Sequence, residues 1–193
     1  MSDSAMNHLH VFDMDGTLLK GTSASLEIAR VTGTRAELRA LERALADGEI
    51  DTRGFAAALP GIWPMLTDGL VEQAFRDGPF LDGIADVCGD IRAQGGRSLV
   101  ITMSPDFYAE RLLDFGFDEV VASRFPALPF TEPPVPENIL TPADKPRIVE
   151  EVLRRTGIAR EQCVAYGDSM SDAPLFRHLA HSVAVNYDAN TTQ

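Results

Sequence analysis

His10-Val11-Phe12-Asp13-Met14-Asp15-Gly16-Thr17 begins as a strand and ends as a turn. The apolar run Leu9–Phe12 has the length of a buried strand, so Asp13 falls at its carboxyl end. Open α/β sheets collect their ligands at that end. Two carboxylates two residues apart, on a turn loosened by Gly16, can hold different jobs. One can attack as a nucleophile while the other gives and takes a proton.

Outward from this stretch, strand-sized apolar runs recur at Ser98–Ile101, Glu119–Ala122, Val164–Tyr166 and Ser182–Val185. Helical spacing fills most of the gaps. Ile84, Val87, Cys88 and Ile91 repeat up to Gly95-Gly96; Phe107, Arg111, Leu112 and Phe115 repeat up to Gly116. Ile148, Val149, Val152 and Leu153 repeat up to Gly157, and a short helix over Ala173–Leu179 tolerates Pro174 in its first turn. Strands alternating with helices predict an α/β fold with a parallel sheet covered on both faces. Residues 20–80 break the alternation. Thr34-Arg35-Ala36-Glu37 has the form of a capping box, followed by Leu38, Leu41 and Leu45 and stopped near Gly48. Ser25–Val31 and Leu70–Phe75 also read as helices, while Gly54, Pro60, Gly61 and Pro64 break the middle. The expected organisation is a core of residues 1–19 and 81–193, with residues 20–80 inserted after the first strand as a small helical cap. Residues 126–142 hold six of the twelve prolines and predict a stiff loop or frayed hairpin.

Two more strand ends and one helix start carry chemistry. Leu99-Val100-Ile101-Thr102-Met103-Ser104-Pro105 ends in hydroxyls before a helix start, a ready anion site. Lys145, at the start of the third helix, is one of only two lysines (the other is Lys20) beside fifteen arginines. A compact ammonium there suits a phosphate or a carboxylate, and otherwise it is an exposed helix-start residue. Ala165-Tyr166-Gly167-Asp168 ends a strand, and Asp172 follows as a helix begins. Singly, Asp168 or Asp172 would serve as a helix N-cap. Gathered beside Asp13 at one sheet edge, they offer the hard oxygen ligands of a Mg²⁺ site.

In order, Asp13-x-Asp15-Gly16-Thr17, Thr102, Lys145 and Gly167-Asp168-x-x-x-Asp172 resemble the four signature motifs of the haloacid dehalogenase superfamily. Phe107-Tyr108-Ala109-Glu110-Arg111 and the helical cap resemble its phosphoserine-phosphatase-like branch. The resemblance implies a Rossmann-like parallel-sheet core and a Mg²⁺-dependent phosphatase acting on a small phosphorylated metabolite. It casts Asp13 as the nucleophile forming an aspartyl-phosphate, and Asp15 as the acid that then activates water. Thr102, Met103 and Lys145 would bind the phosphoryl group. Asp13, Asp168 and the backbone carbonyl of Asp15 would bind the metal, with Asp172 ligating it or orienting its shell. A phosphotransferase with an alcohol acceptor, or a non-catalytic phospho-accepting module, would share these residues. Dehalogenation is disfavoured by Asp15, and phosphonate cleavage would need a cap lysine, for which Lys20 is the one candidate. The resemblance does not extend to the phosphoserine-reading residues. Gly21-Thr22-Ser23 stands where a cap Glu is expected, the nearest being Glu27, and Phe55–Leu59 lacks the expected Arg, with Arg53 close by. Relatives of this branch also continue into a further helix where this chain has Asn186–Gln193.

The 193 residues carry a net charge of −12, which excludes nucleic acid and anionic membranes as partners. Residues 20–80 contribute −2 of this and the remainder −10. The two cysteines, Cys88 and Cys163, read as buried small hydrophobes, and His8, His10, His178 and His181 lack metal-ligand spacing. With no basic and apolar leader at the start and no run of membrane length, a cytoplasmic monomer or homodimer is expected. Arg35, Arg39 and Arg43 form the solvent stripe of an amphipathic helix. Phe55, Trp63 and Met65 are core candidates that could instead face the substrate.

Overall fold

The computed structural model describes residues 7–186; the first six residues and 187–193, including most of the C-terminal stretch after the last strand, lie outside them. Five strands form one parallel sheet: β1 (Leu9–Phe12), β2 (Arg97–Pro105), β3 (Glu119–Ser123), β4 (Cys163–Gly167) and β5 (His181–Ala184). Their order is β3-β2-β1-β4-β5, with β1 in register against β2 on one side and β4 on the other. The chain thus leaves the centre in both directions, and the crevice opens where β1 ends.

Alternation along the central strands assigns each face. Leu9 and Val11 join Leu99, Ile101, Cys163 and Ala165 on one side, covered by α7 (Asp144–Thr156) and α8 (Ala173–His178). Phe12 and Val100 look the other way, towards α5 (Ile84–Ala93), Tyr108 and Leu112. Both cysteines are free and buried. The expected parallel sheet, covered on both faces, is the observed one.

The helix expected over Phe107–Phe115 is α6 (Asp106–Ala109) running into a 3-10 stretch, Glu110–Phe115. Three residues per turn aligns Ala109, Leu112 and Phe115 on one face, and the first two are buried. Residues 126–142 form a loop with one short 3-10 turn at Pro136–Asn138, not a hairpin.

The inserted segment holds four helices: α1 (Ala24–Thr32), α2 (Arg35–Ala46), α3 (Thr52–Ile62) and α4 (Asp68–Arg76). Two of its details differ from the sequence reading. The supposed breakers Gly54, Pro60 and Gly61 all lie inside α3. Asp51 caps its start by accepting from the Gly54 N–H at 2.8 Å, and Ala56, Leu59 and Trp63 are buried along one face. Packing outweighs the hydrogen bond that Pro60 cannot make. Thr34 precedes α2 without a side-chain capping bond. Its hydroxyl instead accepts from the Trp63 indole at 3.0 Å. Trp63 is core, Met65 is exposed, and Arg35, Arg39 and Arg43 face solvent. The ends of the segment meet in a Leu19–Phe80 antiparallel bridge, flanked by Lys20 N–H to Pro79 O and Leu81 N–H to Leu18 O bonds. No helix among the described residues is long and apolar enough to cross a membrane.

Candidate active site

Every predicted site residue arrives at the carboxyl edge of β1, β2 or β4, or at a helix start beside it. β1 delivers Asp13, whose N–H donates to the Tyr166 carbonyl of β4 at 2.9 Å. The chain then coils through Met14 and turns at Gly16, with φ +77°. A side chain at Gly16 would be strained there, and its Cβ would overlap the Asp168 carboxylate. The glycine therefore does more than loosen the turn. It lets the β1 and β4 ends approach.

Asp15 is held from three sides. Its Oδ1 accepts from the Ala24 N–H at the start of α1 at 2.7 Å. Its Oδ2 accepts from Ser104 Oγ at 2.6 Å and from Thr102 Oγ1 at 3.4 Å. Thr102 and Ser104, two apart on β2, point the same way, and the β2/β3 register shifts between Ile101 and Pro105.

Lys145, far from being an exposed helix-start residue, is among the largest fully buried side chains. Its Nζ donates to Asp13 Oδ1 at 2.7 Å and to Asp172 Oδ1 at 2.6 Å. The other Asp172 oxygen accepts from the Asp168 and Ser169 N–H groups at 3.2 Å each, and Ser169 completes a capping box with it. Asp172 is therefore not the N-cap foreseen for it: it stands at the third position of the box that Ser169 caps, and its side chain makes no capping bond at the start of α8. Asp168 accepts from Thr17 Oγ1 at 3.4 Å.

The charges do not balance. Burial pushes the Asp13 carboxyl up to about 7, against the pull of the Lys145 ammonium, with Asp172 and Asp15 adding to the push. Burial also raises Asp15, despite the bonds from Ser104 and Ala24, and raises Asp168, with Asp172 reinforcing it. Burial lowers Lys145, but Asp13 and Asp172 more than restore it, so the ammonium persists. Asp13, Asp168 and Asp172 each offer a carboxylate oxygen, all within 4.8 Å of one another. One buried ammonium facing this many carboxylates leaves an excess of negative charge. Such hard oxygen donors fit a divalent cation.

The structure thus brings together Asp13, Asp15, Thr102, Lys145, Asp168 and Asp172, with Met103 beside them on β2. Other candidates lie elsewhere. Glu27 is buried between Thr22 and Arg30, at 2.9 Å from each; Arg53 donates to the Pro136 carbonyl at 3.1 Å; Lys20 is exposed. His8 and His10 bond each other, and His10 bonds Tyr166, along the sheet. Two residues carry no sequence signal for this site. Asn186 donates to the Gly16 and Thr17 carbonyls at 2.7 and 3.0 Å, tying down the turn from 170 residues away. Glu42, from α2, lines the cavity beside Asp15.

The haloacid dehalogenase-like hydrolase family matches residues 10–177. A phosphoserine phosphatase of Archaeoglobus fulgidus is 26% identical over 189 residues, covering 92% of this chain and 52% of its own. The chain spans about half the length of that curated relative. Among solved structures, a HAD family hydrolase from Salmonella enterica serovar Typhi superposes with a TM-score of 0.83 at 19% identity, over 94% of this chain and 63% of that one. A substrate-bound phosphoserine phosphatase does so at 0.77 and 20% identity, over 95% and 88%. With the strand order, the inserted helices and the clustered aspartates already in place, the match over residues 10–177 settles the family: the chain belongs to the haloacid dehalogenase-like hydrolases, and its fold closely resembles the phosphoserine-phosphatase-like branch.

Proposed function

We propose that the protein is a Mg²⁺-dependent phosphatase that hydrolyses a small phosphorylated metabolite through an aspartyl-phosphate on Asp13, working as a monomer or homodimer. The observation that carries this reading is the buried Asp13–Lys145–Asp172 array beside an independently anchored Asp15. Two neighbouring carboxylates held this differently are suited to two roles. Lys145 fixes Asp13 and offers positive charge to a phosphoryl oxygen, with the Thr102 hydroxyl and Met103 backbone as further phosphate contacts.

Asp13 attacks phosphorus as the ester bond breaks, and protonated Asp15 gives its proton to the departing oxygen. The raised Asp15 pKa favours that starting state. Asp15, now ionised, takes a proton from the water that attacks the phospho-aspartate. Inorganic phosphate leaves and both aspartates return to their initial states. Asp13, Asp168 and the Asp15 carbonyl would hold Mg²⁺, with Asp172 orienting its neighbours, since Lys145 and two N–H groups already occupy its oxygens. The bound cation supplies charge between an anionic nucleophile and an anionic phosphate. Residues 1–19 and 81–193 then act as the catalytic core and residues 20–80 as the cap over the leaving group, a division supported by the Leu19–Phe80 bridge.

Hydrolysis of p-nitrophenyl phosphate tests this. The wild type should turn over with Mg²⁺, stop with EDTA and recover on Mg²⁺ addition, and Asp13→Asn should lose at least about 10³-fold in kcat. Turnover by Asp13→Asn at a wild-type rate would refute the nucleophile.

A further inference from the structure

Glu42 reaches into a cavity of about 190 Å³ whose floor includes Asp15 and Ser104, and the mechanism above gives it no task. The walls are largely apolar, with Phe55 and Leu59 from α3 and Phe125 from the loop after β3. Among the described residues, no lysine, arginine or histidine lines the space. Arg39, one turn earlier on α2, is exposed, and Glu42 forms no ion pair or hydrogen bond among the described residues. Burial pushes the Glu42 carboxyl up, Arg39 pulls it back, and Asp15 adds to the push. The volume lies below the roughly 300–1,000 Å³ of drug-sized sites, so the leaving group is small.

This chamber is hostile to a substrate carboxylate, which would join Asp15 and Glu42 with no cation to meet it. It welcomes an ammonium. That group would find an unpartnered carboxylate in Glu42 and aromatic surfaces in Phe55 and Phe125, a combination that binds cations through charge and ring quadrupole together. We infer that the chamber selects the leaving group of a small amino alcohol: an ammonium-bearing phosphomonoester that lacks a carboxylate. The inference rests on the phosphatase reading and narrows it to a substrate class different from phosphoserine.

The experiment compares kcat/KM, with Mg²⁺, for phosphoethanolamine, 3-aminopropyl phosphate, phosphocholine, propyl phosphate and phosphoserine, with p-nitrophenyl phosphate as a generic control. At least one of the three carboxylate-free ammonium esters should exceed both propyl phosphate and phosphoserine tenfold or more. In Glu42→Gln, the ratio of that ester to propyl phosphate should fall at least tenfold. Propyl phosphate or phosphoserine matching the best ammonium ester would overturn the inference, as would a ratio unchanged in Glu42→Gln. Should that variant fail to fold, the wild-type ranking decides alone. Turnover of p-nitrophenyl phosphate without the ammonium preference removes this inference and leaves the phosphatase reading standing. Absence of turnover on every ester removes both.

Discussion

Asn186 shows how a single amide can set the geometry of a turn that another strand carries. Its two hydrogen bonds to the Gly16 and Thr17 carbonyls brace the coil between Asp13 and Asp15. Each such bond is worth about 1 kcal/mol, so Asn186→Ala should lower the melting temperature by a few degrees and, by loosening the turn that carries Asp15, lower kcat about tenfold with KM little changed. Steady-state kinetics beside a thermal melt checks this; a fall in stability without a change in kcat would assign Asn186 to the fold alone. Asp13 and Asp15 could be read from the sequence because a short apolar run fixes where a strand ends. Lys145 stood out by scarcity, although its burial did not. Asn186 and Glu42 could not be read, because their partners lie on elements whose approach is set only by the folded chain. Ser104 was a near miss: it sits one strand period past Thr102, but which acid both would touch depends on the β1–β2 pairing.

At the level of elements, local signals located the sheet well and the inserted helices less well. The central strands β1, β2 and β4 are short apolar runs largely buried by their neighbours, whereas β3 is mostly half-buried and the edge strand β5 is exposed. The helix α3 was hidden because Gly54, Pro60 and Gly61 oppose it locally, while the apolar face that overrides them gains its value only in the folded core, chiefly against α2. Thr34 was misread for a related reason. Its hydroxyl could serve the start of its own helix or the indole of α3, and the tertiary bond prevails. Thr34→Val would leave the buried Trp63 N–H unpaired, at a cost of about 1–3 kcal/mol. Thr34→Ser, keeping the hydroxyl, should restore most of it. Urea unfolding of the pair checks this, and equal stability of the two variants would argue for no role of the indole bond.

For the whole molecule, the net charge of −12 is concentrated outside the helical segment and becomes acute at one edge of the sheet. The raised Asp13 pKa, about 7 when folded against an ordinary 3.8, means that the folded state holds its proton more tightly than the unfolded one. Metal-free protein should therefore lose stability as pH rises from about 4 to about 7 and level off above. Mg²⁺ should offset that loss by binding the native state. In EDTA at pH 8, Asp13→Asn should melt several degrees above the wild type, and the gap should close near pH 4, as differential scanning calorimetry can establish. A lower melting point for the variant at pH 8 would show that the Lys145 pair outweighs the desolvation. The Leu19–Phe80 bridge brings its own consequence. Because the segment leaves and rejoins the sheet at one point, it can be lengthened, shortened or exchanged without moving any strand. The proposed phosphate chemistry sits on the invariant side of that seam, whereas Glu42 and Phe55 sit on the exchangeable side. Grafting a relative's segment between Leu19 and Phe80 should transplant substrate preference as a cassette, provided the graft brings an apolar ring to replace Phe75 against Phe80 and Phe115.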